Sequence, residues 1–140
     1  MIIYTRLDVK IPGFPRRTIS KWIKSVAEQY KKRVGEVSFI FCSDEKILEM
    51  NEEYLSHNYY TDIITFDYSK KEKISGDIFI SLETINSNAD KYKVGFENEL
   101  YRVMIHGILH LFGIKDKTKK EKAIMRENEN QALEILQEYL

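Results

Sequence analysis

One cysteine, two prolines and no excess of either charge mark this sequence by what it lacks. With Cys42 alone, neither an internal disulfide nor a multi-cysteine zinc site can form. Cys42 ends the apolar run Val37-Ser38-Phe39-Ile40-Phe41-Cys42, which reads as a buried, inert thiol. Pro12 and Pro15 sit close together, and no Pro/Gly-rich linker, repeat or low-complexity tract divides the chain. The 22 basic side chains are matched by 22 acidic ones. That balance excludes the global basic field of a dedicated nucleic-acid binder, so any such contact has to be local. No apolar run approaches the roughly 18–20 residues that cross a bilayer. The opening Met1-Ile2-Ile3-Tyr4 is soon broken by Arg6 and Asp8, unlike a signal peptide, and a cytoplasmic location is the expectation.

What is present suits one globular domain over residues 1–140, with 43% apolar and 31% charged residues. Residues 1–7 read as a strand. Residues 16–32 read as a helix with Ile19, Trp22, Ile23, Val26 and Tyr30 on one face, ended by Gly35. Residues 37–42 form a strand, and Ser43 caps a helix over 44–54 with Ile47, Leu48 and Met50 available to the core. Two strands, 61–67 and 77–81, are joined by a charged loop from Ser69 to Ser75. Three helices complete the chain, from Leu82 toward Tyr92, from Phe96 to Phe112, and from Lys117 to Gln137. The last is expected to bury Ala123, Ile124, Leu133, Leu136 and Leu140. Strict βαβ alternation is missing, so the expected class is α+β: a mixed sheet of about four strands packed between helices, with the 96–112 helix at its centre.

That central helix carries two of the three histidines, His106 and His110, four apart in an otherwise apolar stretch. Residues i and i+4 share a helix face, so both imidazoles can hold one metal ion. A bare His-x3-His pair reads more readily as two core histidines satisfied by hydrogen bonds, or as an exposed helix face. The residues beyond His110 tip the balance. Gly113 stops the helix and lets the chain turn back, and Asp116, six residues after His110, can return a carboxylate to the imidazoles. Two histidines and a carboxylate make an open site with room for water. Gly107 stands where a zincin protease carries its catalytic glutamate, which weakens a metalloprotease reading without removing it.

The run His106-Gly107-Ile108-Leu109-His110-Leu111-Phe112-Gly113 resembles the signature of the YbeY family, bacterial metal-dependent endoribonucleases of rRNA maturation. Thr61-Asp62-Ile63-Ile64-Thr65-Phe66 and Gly76-Asp77-Ile78-Phe79-Ile80-Ser81 resemble two further family motifs, and Asn51 and Tyr54 fit an N-x-x-Y before them. The matches run in order from about residue 48 to about residue 125. This resemblance implies an α/β sandwich, one zinc ion or another divalent transition metal per chain, and ribosomal RNA of the small ribosomal subunit as partner. The sequence departs from the pattern at three places, one of them Lys115 where the family has an aspartate. Asp116 replaces the third ligand histidine, and Leu55 stands where the family has an arginine that serves the active site.

The implied chemistry is phosphodiester hydrolysis by a metal-activated water, with His106, His110 and Asp116 as ligands. Lys115 is the candidate cation for the developing phosphoryl charge, and the basic run Lys115, Lys117, Lys119, Lys120 and Lys122 is a candidate phosphate-backbone contact. His57, in the loop Ser56-His57-Asn58-Tyr59-Tyr60, is a candidate for substrate positioning or proton transfer, and its tyrosines for base stacking. Asp62 and Asp77 read as structural. Competing readings are a zincin-like protease and a ribosome-assembly factor with a structural metal. Nothing demands more than a monomer. Asp116 cancels one unit of metal charge that a third histidine would leave, making the bound water less acidic. The pH–rate profile of Asp116→His is therefore expected to rise at lower pH than that of the wild type; coincident profiles would overturn the argument.

Overall fold

Val37, Phe39 and Phe41 turn to one side of a strand and Ile40 and Cys42 to the other, as a two-residue period requires. In a computed structural model of the chain this strand lies inside a sheet with apolar contacts on both faces. The structure describes residues 1–55 and 62–140, with residues 54 and 55 as backbone alone. The strands are β1 (Ile2–Arg6), β2 (Arg33–Cys42), β3 (Ile63–Asp67) and β4 (Lys73–Ser81), and the helices α1 (Arg16–Gln29), α2 (Asp44–Leu55), α3 (Leu82–Tyr92), α4 (Phe96–Leu111) and α5 (Lys119–Gln137). Sheet order is β1-β2-β4-β3. The first three strands run parallel and β3 is antiparallel to β4, the mixed α+β arrangement anticipated from the sequence.

The two faces are unequal. Residues of α1, α3, α4 and α5 join Val37, Phe39, Phe41, Ile74, Ile78 and Ile80 in the main core. On the other face α2 supplies Ile47 and Met50 to a smaller cluster around Cys42, Ile64, Phe66 and Phe79. Within it Cys42 is fully buried, and burial together with Asp8 and Asp44 pushes its thiol up to about 12, the inert state expected.

Three details differ from the sequence reading. Gly35 does not end α1. Lys31 does, with φ 58°, while the N–H groups of Lys31 and Lys32 bond back to Glu28 and Ala27. Gly35 instead lies in β2, where a Cβ would stand 2.6 Å from Ser75 Oγ and 2.9 Å from Ile74 O. The charged loop is also shorter than expected: Lys70 and Lys73 bond to each other, and β4 starts at Lys73. Alternating polar residues at its start hid a strand whose other face is buried. In α5 the buried stripe is Met125, Glu129, Ala132 and Leu136, whereas Ala123 and Ile124, and Leu140 beyond the helix, are exposed. Leu136 and Leu133 do pack on the core as expected, and the stripe they share continues through Glu129 rather than Ile124.

Gly76 sets how closely α4 sits on the sheet. It faces the α4 side of β4, and a Cβ there would lie 2.5 Å from the carbonyl oxygen of Phe66 and 2.9 Å from Leu111. The backbone atom cannot give way. Gly76→Ala is expected to destabilise the fold by about 1–3 kcal/mol, measured by chemical denaturation; an unchanged midpoint would show that β4 and α4 can part freely.

Candidate metal centre

α4 is apolar on most of its circumference and buried along most of its length, so its few polar side chains emerge together along one strip. His106 and His110 lie on that strip one turn apart, each partly exposed. The chain then reverses sharply. Gly113 adopts φ 98°, its N–H bonds to the His110 carbonyl at 2.9 Å, and the Ile114 N–H reaches back to Leu109 at 3.1 Å. This is a Schellman closure with glycine at the left-handed position and Ile114 packed on the core. On the far side of Asp116, Thr118 caps α5 in a reciprocal box with Glu121, whose carboxylate also accepts from the Lys117 N–H at 3.1 Å. Asp116 is thus held between two locked helix ends.

The result is a triangle of ligand atoms. His106 Nε2 and His110 Nε2 are 3.1 Å apart, and Asp116 Oδ2 stands 3.2 Å from the first and 3.4 Å from the second. Donors 2.0–2.1 Å from a tetrahedral zinc ion are about 3.3–3.4 Å from each other. The triangle is therefore close in size to one face of such a tetrahedron.

Electrostatics agree. His106 Nδ1 is 2.6 Å from Glu129 Oε2, so Nδ1 carries a proton, and in the neutral ring Nε2 presents its lone pair to the triangle. Glu129 is nearly buried and is held in turn by Arg102 at 3.0 Å and Arg126 at 3.5 Å. Burial pushes the His106 pKa down, but Glu129, Asp116 and Asp62 outweigh it and hold the ring above its usual value. His110 goes the other way, lowered by burial and by His106 against the pull of Asp116. Burial raises Glu129, and His106 and Arg102 override it to keep the carboxylate ionised. Converging lone pairs and a carboxylate make a place that favours a cation.

The triangle opens on a cleft of ≈ 1020 Å³. Asp62, Glu99 and Asn51 line it, as do the cations Arg102, Lys117, Lys122 and Arg126. Lys115, the candidate from sequence, is exposed and does not line the cleft. His57 lies outside the described residues. Asp62 belongs to the cleft wall, where its charge acts on His106 and Glu99, whereas Asp77 accepts a hydrogen bond from Tyr68 at 3.3 Å. Gly107 faces away from the cleft; a Cβ there would meet Ile63 and Ile78 of the sheet at 2.9 Å. The protease reading lacks its base because residue 107 is a glycine packed against the sheet. Sequence reasoning missed Glu129, Arg102 and Arg126. The signal for Glu129 was a carboxylate at the helical spacing of Met125, Ala132 and Leu136.

The family model described as Endoribonuclease YbeY matches residues 6–137. The chain belongs to the YbeY family. An Endoribonuclease YbeY of Parabacteroides distasonis is 56% identical over 137 residues, covering 98% of this chain and 96% of the relative. That of Bacteroides thetaiotaomicron is 55% identical, covering 94% and 96%. A solution structure from Thermotoga maritima superposes with a TM-score of 0.68 at 26% identity, over 97% of this chain and 89% of that one. The matched span includes His106, His110 and Asp116. Glu129 orients a ring of that triangle. Glu129→Gln is expected to weaken zinc binding about 10–100-fold, read by competition with a chromophoric chelator; unchanged affinity would make the contact a packing feature only.

Proposed function

We propose that this YbeY-family chain is a metal-dependent endoribonuclease acting in maturation of small-subunit ribosomal RNA. The observation that carries the reading is the triangle of His106, His110 and Asp116 atoms, with edges of 3.1–3.4 Å, opening on a cleft with cationic side chains. His106 and His110 would each offer Nε2 and Asp116 a carboxylate oxygen to one divalent ion, zinc first; two histidines and a carboxylate also suit iron or manganese. When bound, such an ion polarises a phosphoryl oxygen and lowers the pKa of a coordinated water.

The remaining roles fall to side chains of the cleft. Arg102 is mostly buried and committed to Glu129 and Asn130, so it positions rather than binds. Arg126, more than half exposed, lines the cleft together with Lys117 and Lys122. These three are assigned the negative charge of the scissile and flanking phosphates, ahead of Lys115, and in place of the arginine that Leu55 lacks. Lys115, next to Asp116, remains a candidate at the rim, and His57 a candidate for substrate positioning on the strength of the sequence. All three ligands come from one chain, so a monomer suffices. A ribosomal substrate would place the enzyme in the cytoplasm, and no helix of the described residues is long and apolar enough to cross a membrane.

Elemental analysis of native protein, His110→Ala and Asp116→Ala, paired with cleavage of a small-subunit rRNA fragment, tests this. About one metal per chain, lost in both variants, is expected, with cleavage abolished by a chelator and restored by zinc. Full occupancy in Asp116→Ala would mean a different third ligand. Native protein that stays metal-free after reconstitution would instead favour an assembly role without cleavage.

A further inference from the structure

Tyr92 is the last residue of α3, and it is 52% exposed while lining the same cleft as His106 and His110. That is an unusual place for a large ring. Among the described residues, Tyr4, Trp22, Tyr30 and Phe66 each meet a second aromatic ring. Tyr92 meets the Lys91 ammonium instead, 5.5 Å from its centroid. Among the described residues Tyr68 is also exposed, and it borders the smaller groove beside α2.

The backbone that carries the ring is also held in place. Lys93 takes φ 55°, and the N–H groups of Lys93 and Val94 bond back to Asp90 and Ala89 at 3.3 and 3.0 Å. This closure keeps the end of α3 from fraying and presents Tyr92 from a fixed backbone. Asn88, one turn earlier on α3, lines the cleft as well. An aromatic face beside an amide that both donates and accepts is the chemistry that recognises an unpaired base: stacking on one, edge hydrogen bonds to the other.

We propose that Tyr92 and Asn88 form a base-binding subsite of the cleft, in which Tyr92 stacks on an unpaired nucleobase of the RNA and Asn88 bonds its edge. This rests on the endoribonuclease reading and says where along the strand recognition occurs. The link from Tyr92 to the start of α4 at Phe96 is short, and His110 lies in the last turn of α4, about 20 Å farther along the axis. The stacked base therefore belongs to a nucleotide removed from the scissile bond. Binding should depend on Tyr92 and the chemical step should not.

The test measures anisotropy of a labelled short single-stranded RNA with metal-free full-length protein, using wild type, Tyr92→Ala and Tyr92→Phe, and repeats it with the same oligomer made abasic. Loss of one stacked base is expected to weaken binding roughly 5- to 150-fold in Tyr92→Ala. Tyr92→Phe should bind like wild type, and the abasic oligomer should not distinguish the variants. With zinc restored, Tyr92→Ala should raise KM and leave kcat near wild type. The exposed position makes an unchanged thermal melt the control for folding. Tyr92→Ala binding the base-bearing RNA as tightly as wild type, or losing the abasic oligomer equally, would overturn the subsite while leaving the nuclease reading intact. Wild-type protein that neither binds nor cleaves single-stranded RNA would take both readings down.

Discussion

The close approach of α4 to the sheet is the constraint on which the site depends. Two glycines make it, one on each side of the contact. Gly107 on α4 leaves room for Ile63 and Ile78, and Gly76 on β4 leaves room for Leu111 and lies against the Phe66 carbonyl. A close-packed interior has no slack to absorb a methyl group at either position. With α4 pinned, His106 and His110 have little freedom beyond their own rotamers. The reversal at Gly113 then begins from a fixed point, and Asp116 arrives where the imidazoles are.

A polar chain runs through this apolar seam. His106 bonds to Glu129, Glu129 to Arg102 and Arg126, and Arg102 to Asn130. Each charge in a low-dielectric setting demands its partner, and together they fix the orientation of one ring. α4 and α5 are thereby joined by direction-specific bonds as well as by apolar contact, while Trp22 Nε1 donating to the Ala132 carbonyl at 2.8 Å ties α1 to the same helix.

The placing of the His106, His110 and Asp116 triangle and the mixed walls of the cleft arise from where helices end. α3 and α4 close by Schellman geometry, with Lys93 and Gly113 in the left-handed region, and α5 begins with a capping box. These ends place Tyr92, Asp116 and Lys117 on one cleft. Helix ends leave backbone groups to be satisfied, and satisfying them immobilises the residues alongside. A site assembled at such ends has fixed donors without a rigid loop.

Much of this was legible along the chain because it is local. The order of strands and helices, the histidines one turn apart, the turn at Gly113 and the buried thiol of Cys42 are set by periodicity and backbone preference within a few residues. The YbeY resemblance rested on the same short runs. Other features depended on contacts between distant segments. Glu129 meets His106 across 23 positions, and Gly107 faces Ile78 rather than the cleft. The buried stripe of α5, the cations that line the cleft and the presence of Tyr92 on the same cleft as His106 and His110 were likewise decided by packing. Local sequence sets which conformations a segment prefers, but which face it buries depends on what the rest of the chain brings against it. A glutamate on a buried stripe looks like an error until its histidine and arginine partners are in place.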